Sequence, residues 1–234
     1  MAKDKKDFYF NFPIEILKGF MSDYNECLEK FVKYAIYDYS LSLNSELPEE
    51  NLKDALYFFG LSVVEIKSYY QCAQDVWNKY HKSGAMAKTG ISKKMFFDFK
   101  LNEKSDFDKI CLLAFLALKS IIQDQTYAKI DNQYLLSRMD GSQKSIPIER
   151  LSEEVKKYST RHHLDSIKYE LKINWHLVYF SKHTRGFYVS FKLSLVDLIV
   201  IAEKRRKSYK LKVQKDIENE ALLLALEKIN LNSS

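Results

Sequence analysis

A chain of 234 residues, 46% hydrophobic and 14% aromatic, is long enough for one large domain or two small ones and apolar enough to bury a core, which excludes a disordered polar polymer. Only 6 Gly and 3 Pro among abundant helix formers point to a mainly α fold. The net charge of +6 is modest, but residues 131 to 212 hold 17 Lys and Arg against 9 Asp and Glu, either a footprint for an anionic partner or a solvated basic face.

The first residues lack the apolar stretch of a signal peptide, and no run approaches the roughly 18 apolar residues of a membrane span, so a cytoplasmic protein without membrane association is expected. Cys27, Cys72 and Cys111 each fall in an apolar helical pattern without CxxC spacing, which reads as reduced core residues and no metal site.

In chain order, Phe8 to Pro13 reads as a brief extended arm, because the residue before Pro is biased away from helix. From Pro13 to about Tyr39 apolar residues recur at helical spacing and predict one long helix, ended by the stretch LNSELPEE. A second helical region is expected from about Pro48 to His81, bent near Gly60, with Leu56, Phe59, Val63, Ile66, Tyr70, Ala73 and Trp77 on its apolar stripe. Lys82 to Lys94 reads as a polar connection, and MFFDFKLNEKSD is ambiguous between helix and strand. This helical N-terminal region is taken as residues 1–104.

Residues 105–193 have a more specific order. Ser105 caps a helix running to about Gln125, apolar nearly all round, with Asp106 and Asp108 favouring its positive end. A short strand, Thr126 to Ile130, precedes a helix capped at Asp131 or Asn132 and ended by Gly141. A further short helix is expected in PIERLSEEVKKYS, and another from Arg161 to Trp175 with Leu164, Ile167 and Leu171 on its buried stripe. HLVYFSKHTRGFYVSFKL then reads as a β-hairpin with a basic tip at Lys182, His183, Thr184 and Arg185. Alternation in its second strand sends Phe187, Val189 and Phe191 inward and Tyr188, Ser190 and Lys192 outward. Residues 194–234 form a basic helical extension in which Lys204, Arg205 and Arg206 offer a second phosphate-binding stretch. Leu222, Leu223, Leu226 and Ile229 then either dock on the N-terminal helices or pair two subunits as a homodimer, the small number of heptads favouring docking.

Helix, short strand, helix, helix and a hairpin with a basic tip resembles the winged helix-turn-helix superfamily, loosely as found in plasmid and phage replication proteins. The resemblance implies that the helix before the hairpin enters the major groove of double-stranded DNA and that the hairpin is a wing meeting phosphates. If Leu164, Ile167 and Leu171 face the core, Arg161, His162, Asp165, Lys168, Tyr169 and Lys172 occupy the outer arc. There Arg161 and Lys168 would reach guanine edges or phosphates, His162 would donate to either, and Tyr169 and Lys172 would clamp the backbone.

The expectation is a DNA-binding protein of replication initiation or transcriptional regulation. A winged-helix protein–protein interaction module is the alternative, and RNA binding a third reading. No Gly-rich phosphate loop, HExxH or Gly-x-Ser-x-Gly pattern is present, so neither an enzyme nor a cofactor is expected.

Overall fold

The computed structural model describes residues 8–43, 47–82, 86–181 and 186–231. The chain is mainly helical, with small antiparallel sheets. The arm is a strand, β1 (Tyr9–Pro13), whose alternation buries Phe10 and Phe12 and leaves Tyr9 and Asn11 outside.

The long helix expected from Pro13 does not form. A 3₁₀ turn at Ile14–Leu17 follows β1, and Gly19, in the left-handed region at φ +80°, reverses the chain before α1 (Tyr24–Ser40). The second helical region is likewise two helices, α2 (Pro48–Phe58) and α3 (Ile66–Tyr80), which flank α1. Their aromatic residues pack as expected. Tyr37 of α1 lies 5.7 Å from Trp77, whose indole N–H donates to Asp38 at 3.0 Å.

The connection Lys82 to Lys94 contains a strand, β2 (Lys88–Ser92), paired antiparallel with β1 so that Phe10 faces Ile91 and Phe12 faces Thr89. Its lysine, glycine and serine in five residues hide it from a local reading. What makes it a strand is a partner some eighty residues earlier, together with Thr89 Oγ1, which donates to the Leu116 carbonyl at 2.7 Å. Ser92 then caps α4 (Lys93–Leu101) by accepting from the Met95 amide, which resolves the ambiguous stretch as helix.

Central to the fold is α5 (Asp106–Ile122), opened by a full capping box between Ser105 and Asp108. Its centre is apolar nearly all round because most of it is buried. It meets β2 on one flank and, on the other, α6 (Asn132–Met139) and α8 (Arg161–Asn174). One apolar core accordingly runs from Phe10 to Val189, across residue 104.

Between α6 and α8, the expected short helix is reduced to a 3₁₀ turn at Ile148–Arg150 and the single-turn α7 (Glu153–Lys156). Asp140 captures Ser152, accepting from its hydroxyl at 2.6 Å, and Leu151 is buried, so the segment bends around α6 rather than winding continuously.

A three-stranded antiparallel sheet closes this half. Its order is β3 (Ala128–Ile130), then β5 (Phe187–Ser190), then β4 (Val178–Phe180). The expected alternation in β5 is overturned: Phe187, Tyr188, Val189 and Ser190 are all buried. The reason is α9 (Leu195–Leu231), whose Leu198 and Ala202 cover Tyr188 on the face assigned to solvent. Ser190 is tolerated there because its hydroxyl donates to the Thr126 carbonyl and accepts from the Lys192 and Leu193 amides.

Cys27 and Cys111 are core residues, and burial pushes their thiols up to about 11 and about 12; Cys72 is exposed, contrary to expectation. Among the described residues no helix is long and apolar enough to cross a membrane.

Burial also raises the phenols of Tyr24, Tyr34 and Tyr69, each well above the ordinary value of 10. A raised folded value means that the unfolded chain ionises first. Stability present below pH 10 is therefore lost as the pH rises toward the folded values. Lys119 and Lys168 are lowered by burial and act in the opposite sense, gaining stability as the pH rises toward 10.5. Three buried phenols against two buried amines leave the alkaline loss dominant. An alkaline titration is expected to show cooperative loss of helical circular dichroism beginning near pH 10, with tyrosinate absorbance rising alongside it. Tyrosinate appearing fully before any unfolding would contradict this account.

Candidate nucleic-acid interface

The sequence-predicted residues centre on α8. Thr160 caps it by accepting from the His163 amide at 3.3 Å, and Leu164, Ile167 and Leu171 fix its rotation by inserting into the core. The His163 ring nitrogen Nδ1 lies 2.9 Å from the Lys157 carbonyl and ties the entry loop to the first turn.

At the far end, Trp175 and Leu177 both donate to the Leu171 carbonyl, with His176 between them at φ +57°. This is the turn chemistry a glycine usually supplies. It sends the chain directly into β4, and nothing in local composition announces it. Trp175 is half-buried against Phe115 and Phe99, whereas Phe187 is fully buried.

With that rotation fixed, Arg161, His162, Tyr169 and Lys172 are exposed together on the outer surface of α8, the Arg161 side chain at 93%. Asp165 lies among them, its two oxygens 3.6 Å from Arg161 Nε and 3.5 Å from Lys168 Nζ. A cleft of about 610 Å³ separates this surface from the start of α6 and the end of the hairpin, lined by Asn132, Arg161, Lys168, Ser181 and Phe187 among others.

Lys168 does not belong to the outer arc. It is 7% exposed, donates to Asn132 Oδ1 at 3.0 Å, and sits 4.4 Å over the Phe187 ring. Desolvation lowers its pKa, and the Asp165 carboxylate works against that shift. Position 168 lies four residues after Leu164 and three before Leu171, so it turns toward the cleft wall. Its role is to fasten α8 to the first residue of α6 and to β5. Lys168→Ala is expected to destabilise the fold by about 1–3 kcal/mol, since it removes a charged donor and strands the Asn132 acceptor. Unchanged stability on urea denaturation would contradict that role.

The hairpin tip, Lys182, His183, Thr184 and Arg185, lies outside the described residues. In the basic extension, Lys204 and Arg205 are exposed, with Arg205 5.3 Å over the Tyr127 ring. Arg206 is half-exposed and bound to the Glu203 carboxylate, Nε to Oε2 being 2.9 Å. α9 covers the Tyr188 face of the sheet, while α8 shares the core with Phe187 and Val189.

Leu222 and Leu223 are 60% and 63% exposed, so the expected docking of this segment on the N-terminal helices does not occur at these positions. Side chains at Leu226 and Ile229 lie outside the described residues. No protein-family model, curated protein or solved structure matches the chain.

Proposed function

We propose that residues 105–193 are a winged helix-turn-helix that binds double-stranded DNA. In this reading α8 enters the major groove, α6 is the supporting helix, the 3₁₀ turn with α7 is an insertion between them, and β4 and β5 form the wing. The observation that carries the reading is the order α5, β3, α6, α8, β4, β5, in which β3 pairs with the last strand. That pairing holds α8 against α5 and leaves Arg161, His162, Tyr169 and Lys172 exposed on its outer surface.

These side chains match the chemistry of a duplex. Arg161 is a planar donor for a guanine edge or a phosphate, Lys172 a cation for the backbone, and His162 and Tyr169 are donors at intermediate positions. Asp165 favours sequence discrimination over purely electrostatic binding, because a carboxylate on this surface repels phosphate and accepts only from a cytosine or adenine amino group. The Lys168–Asn132 bond supports the reading by setting the angle between α8 and α6. The process we assign is replication initiation or transcriptional regulation, as the layout of helical region, winged helix and basic extension suggests.

Titration of the full chain with a labelled duplex at several salt concentrations tests this. Affinity is expected to fall linearly on a log–log plot, with a slope of about −0.9 per phosphate contact. Absence of duplex binding at the lowest salt overturns the reading.

A further inference from the structure

We infer that two copies of this chain associate through α9, the two helices running antiparallel about a two-fold axis near Asp216. At 1.5 Å per residue, the helix spans about 55 Å, yet only its first turns touch the body. Leu198 and Ala202 are buried on the sheet, whereas every side chain from Lys207 to Leu223 is exposed. The stripe that makes the first contact continues outward at the same spacing as Tyr209, Val213 and Ile217, exposed by 70%, 37% and 61%. A projecting helix with an unused apolar stripe gains its stability from tertiary or quaternary packing, not from propensity alone.

Charge decides what covers it. From Lys204 to Lys215 there are seven Lys and Arg and no Asp or Glu; from Asp216 to Leu223 the charged residues are Asp216, Glu218 and Glu220, with no cation. A parallel pair would set cations against cations along half its length. An antiparallel pair lays the basic half of each helix along the acidic half of the other, and a two-fold axis makes the match on both sides at once. With the axis at Asp216, Lys212 stands opposite Glu220 of the second copy and Tyr209 opposite its Leu223. At about 100° per residue, Glu220 falls on the stripe between Tyr209 and Val213, and Lys212 lies about 60° to one side of Tyr209. Lys204 and Lys207 point away from it, so the pairing leaves cations facing solvent.

The test is sedimentation equilibrium of the full chain without DNA, which makes it independent of the DNA-binding reading. The wild type is expected to dimerise. Lys212→Glu and Glu220→Lys should each raise the dimer Kd about tenfold at low salt, because each turns two symmetric attractions into repulsions. The double variant Lys212→Glu/Glu220→Lys should return to near the wild-type value. Val213→Asp/Ile217→Asp should give a folded monomer, checked by unchanged circular dichroism outside the loss of α9 signal. A wild type that sediments as a monomer at every concentration overturns the proposal. So does a double variant as weak as the singles, since only the antiparallel register predicts rescue.

Discussion

Replacing Phe31 with Ala is expected to lower the unfolding free energy by about 3–5 kcal/mol. The ring is fully buried on α1 and lies parallel between two others, 3.8 Å from Phe12 and 6.0 Å from Phe20 between centroids. Those neighbours cannot follow a shrinking side chain. Phe12 is held in β1 by pairing with Thr89, and Phe20 stands on the turn that Gly19 creates. Truncation therefore leaves a cavity and also forfeits the ring–ring attraction, worth about 0.5–1.5 kcal/mol per pair beyond burial. Tyr57, 87% exposed, provides the contrast, and its replacement with Ala should stay within about 0.5 kcal/mol. Urea denaturation of both variants checks the pair of values. A loss below about 1 kcal/mol at Phe31 would mean that β1 does not pack on α1 as described.

Gly186→Ala is expected to cost at least about 3 kcal/mol. The residue has φ +76°, and a Cβ there would lie 2.1 Å from the Ile130 carbonyl oxygen and 2.9 Å from its carbon. Both atoms are backbone, so no rotamer change relieves the contact. Ile130 and Phe187 are register partners, and the added methyl forces β3 away from β5. The left-handed φ alone accounts for about 1–3 kcal/mol, and the parted strands for the rest. Thermal denaturation gives the total, and amide exchange at Ala128–Ile130 locates it. A variant as stable as wild type would contradict the pairing of β3 with the hairpin.

What the sequence announces, and what it conceals, follows from the range of the interaction responsible. Ser105, Asp131 and Thr160 bond to amides three residues on, so the starts of α5, α6 and α8 are legible from spacing alone. Leu164, Ile167 and Leu171 set the rotation of α8 by the same local logic, which is why Arg161, His162, Tyr169 and Lys172 emerge outside as expected. Distant partners leave no local trace. The pairing of β1 with β2 spans most of the N-terminal region, the burial of Tyr188 depends on α9, and the capture of Lys168 depends on Asn132 of another helix. Tyr188 and Lys168 are drawn out of solvent by partners far along the chain, whereas Cys72, Leu222 and Leu223 carry an apolar pattern yet stay exposed. The α8 surface was thus readable except where a long side chain turned inward to hold the site together.

The account rests on α8 being a DNA-reading helix, and the double variant Arg161→Ala/Lys172→Ala tests that most directly. Both side chains are exposed, and the ion pair of Arg161 with Asp165, within α8 itself, is largely solvated. Stability should therefore change by less than about 0.5 kcal/mol. Duplex binding should weaken strongly. If both residues contact phosphates, the salt slope becomes shallower by about 1.8; if Arg161 instead reads a base edge, the preferred sequence loses about 1–3 kcal/mol more than a random duplex. Titrations of wild type and variant on the same duplexes across several salt concentrations distinguish these results. A variant that binds duplex with the wild-type affinity and slope would contradict the assignment of α8 to the DNA interface.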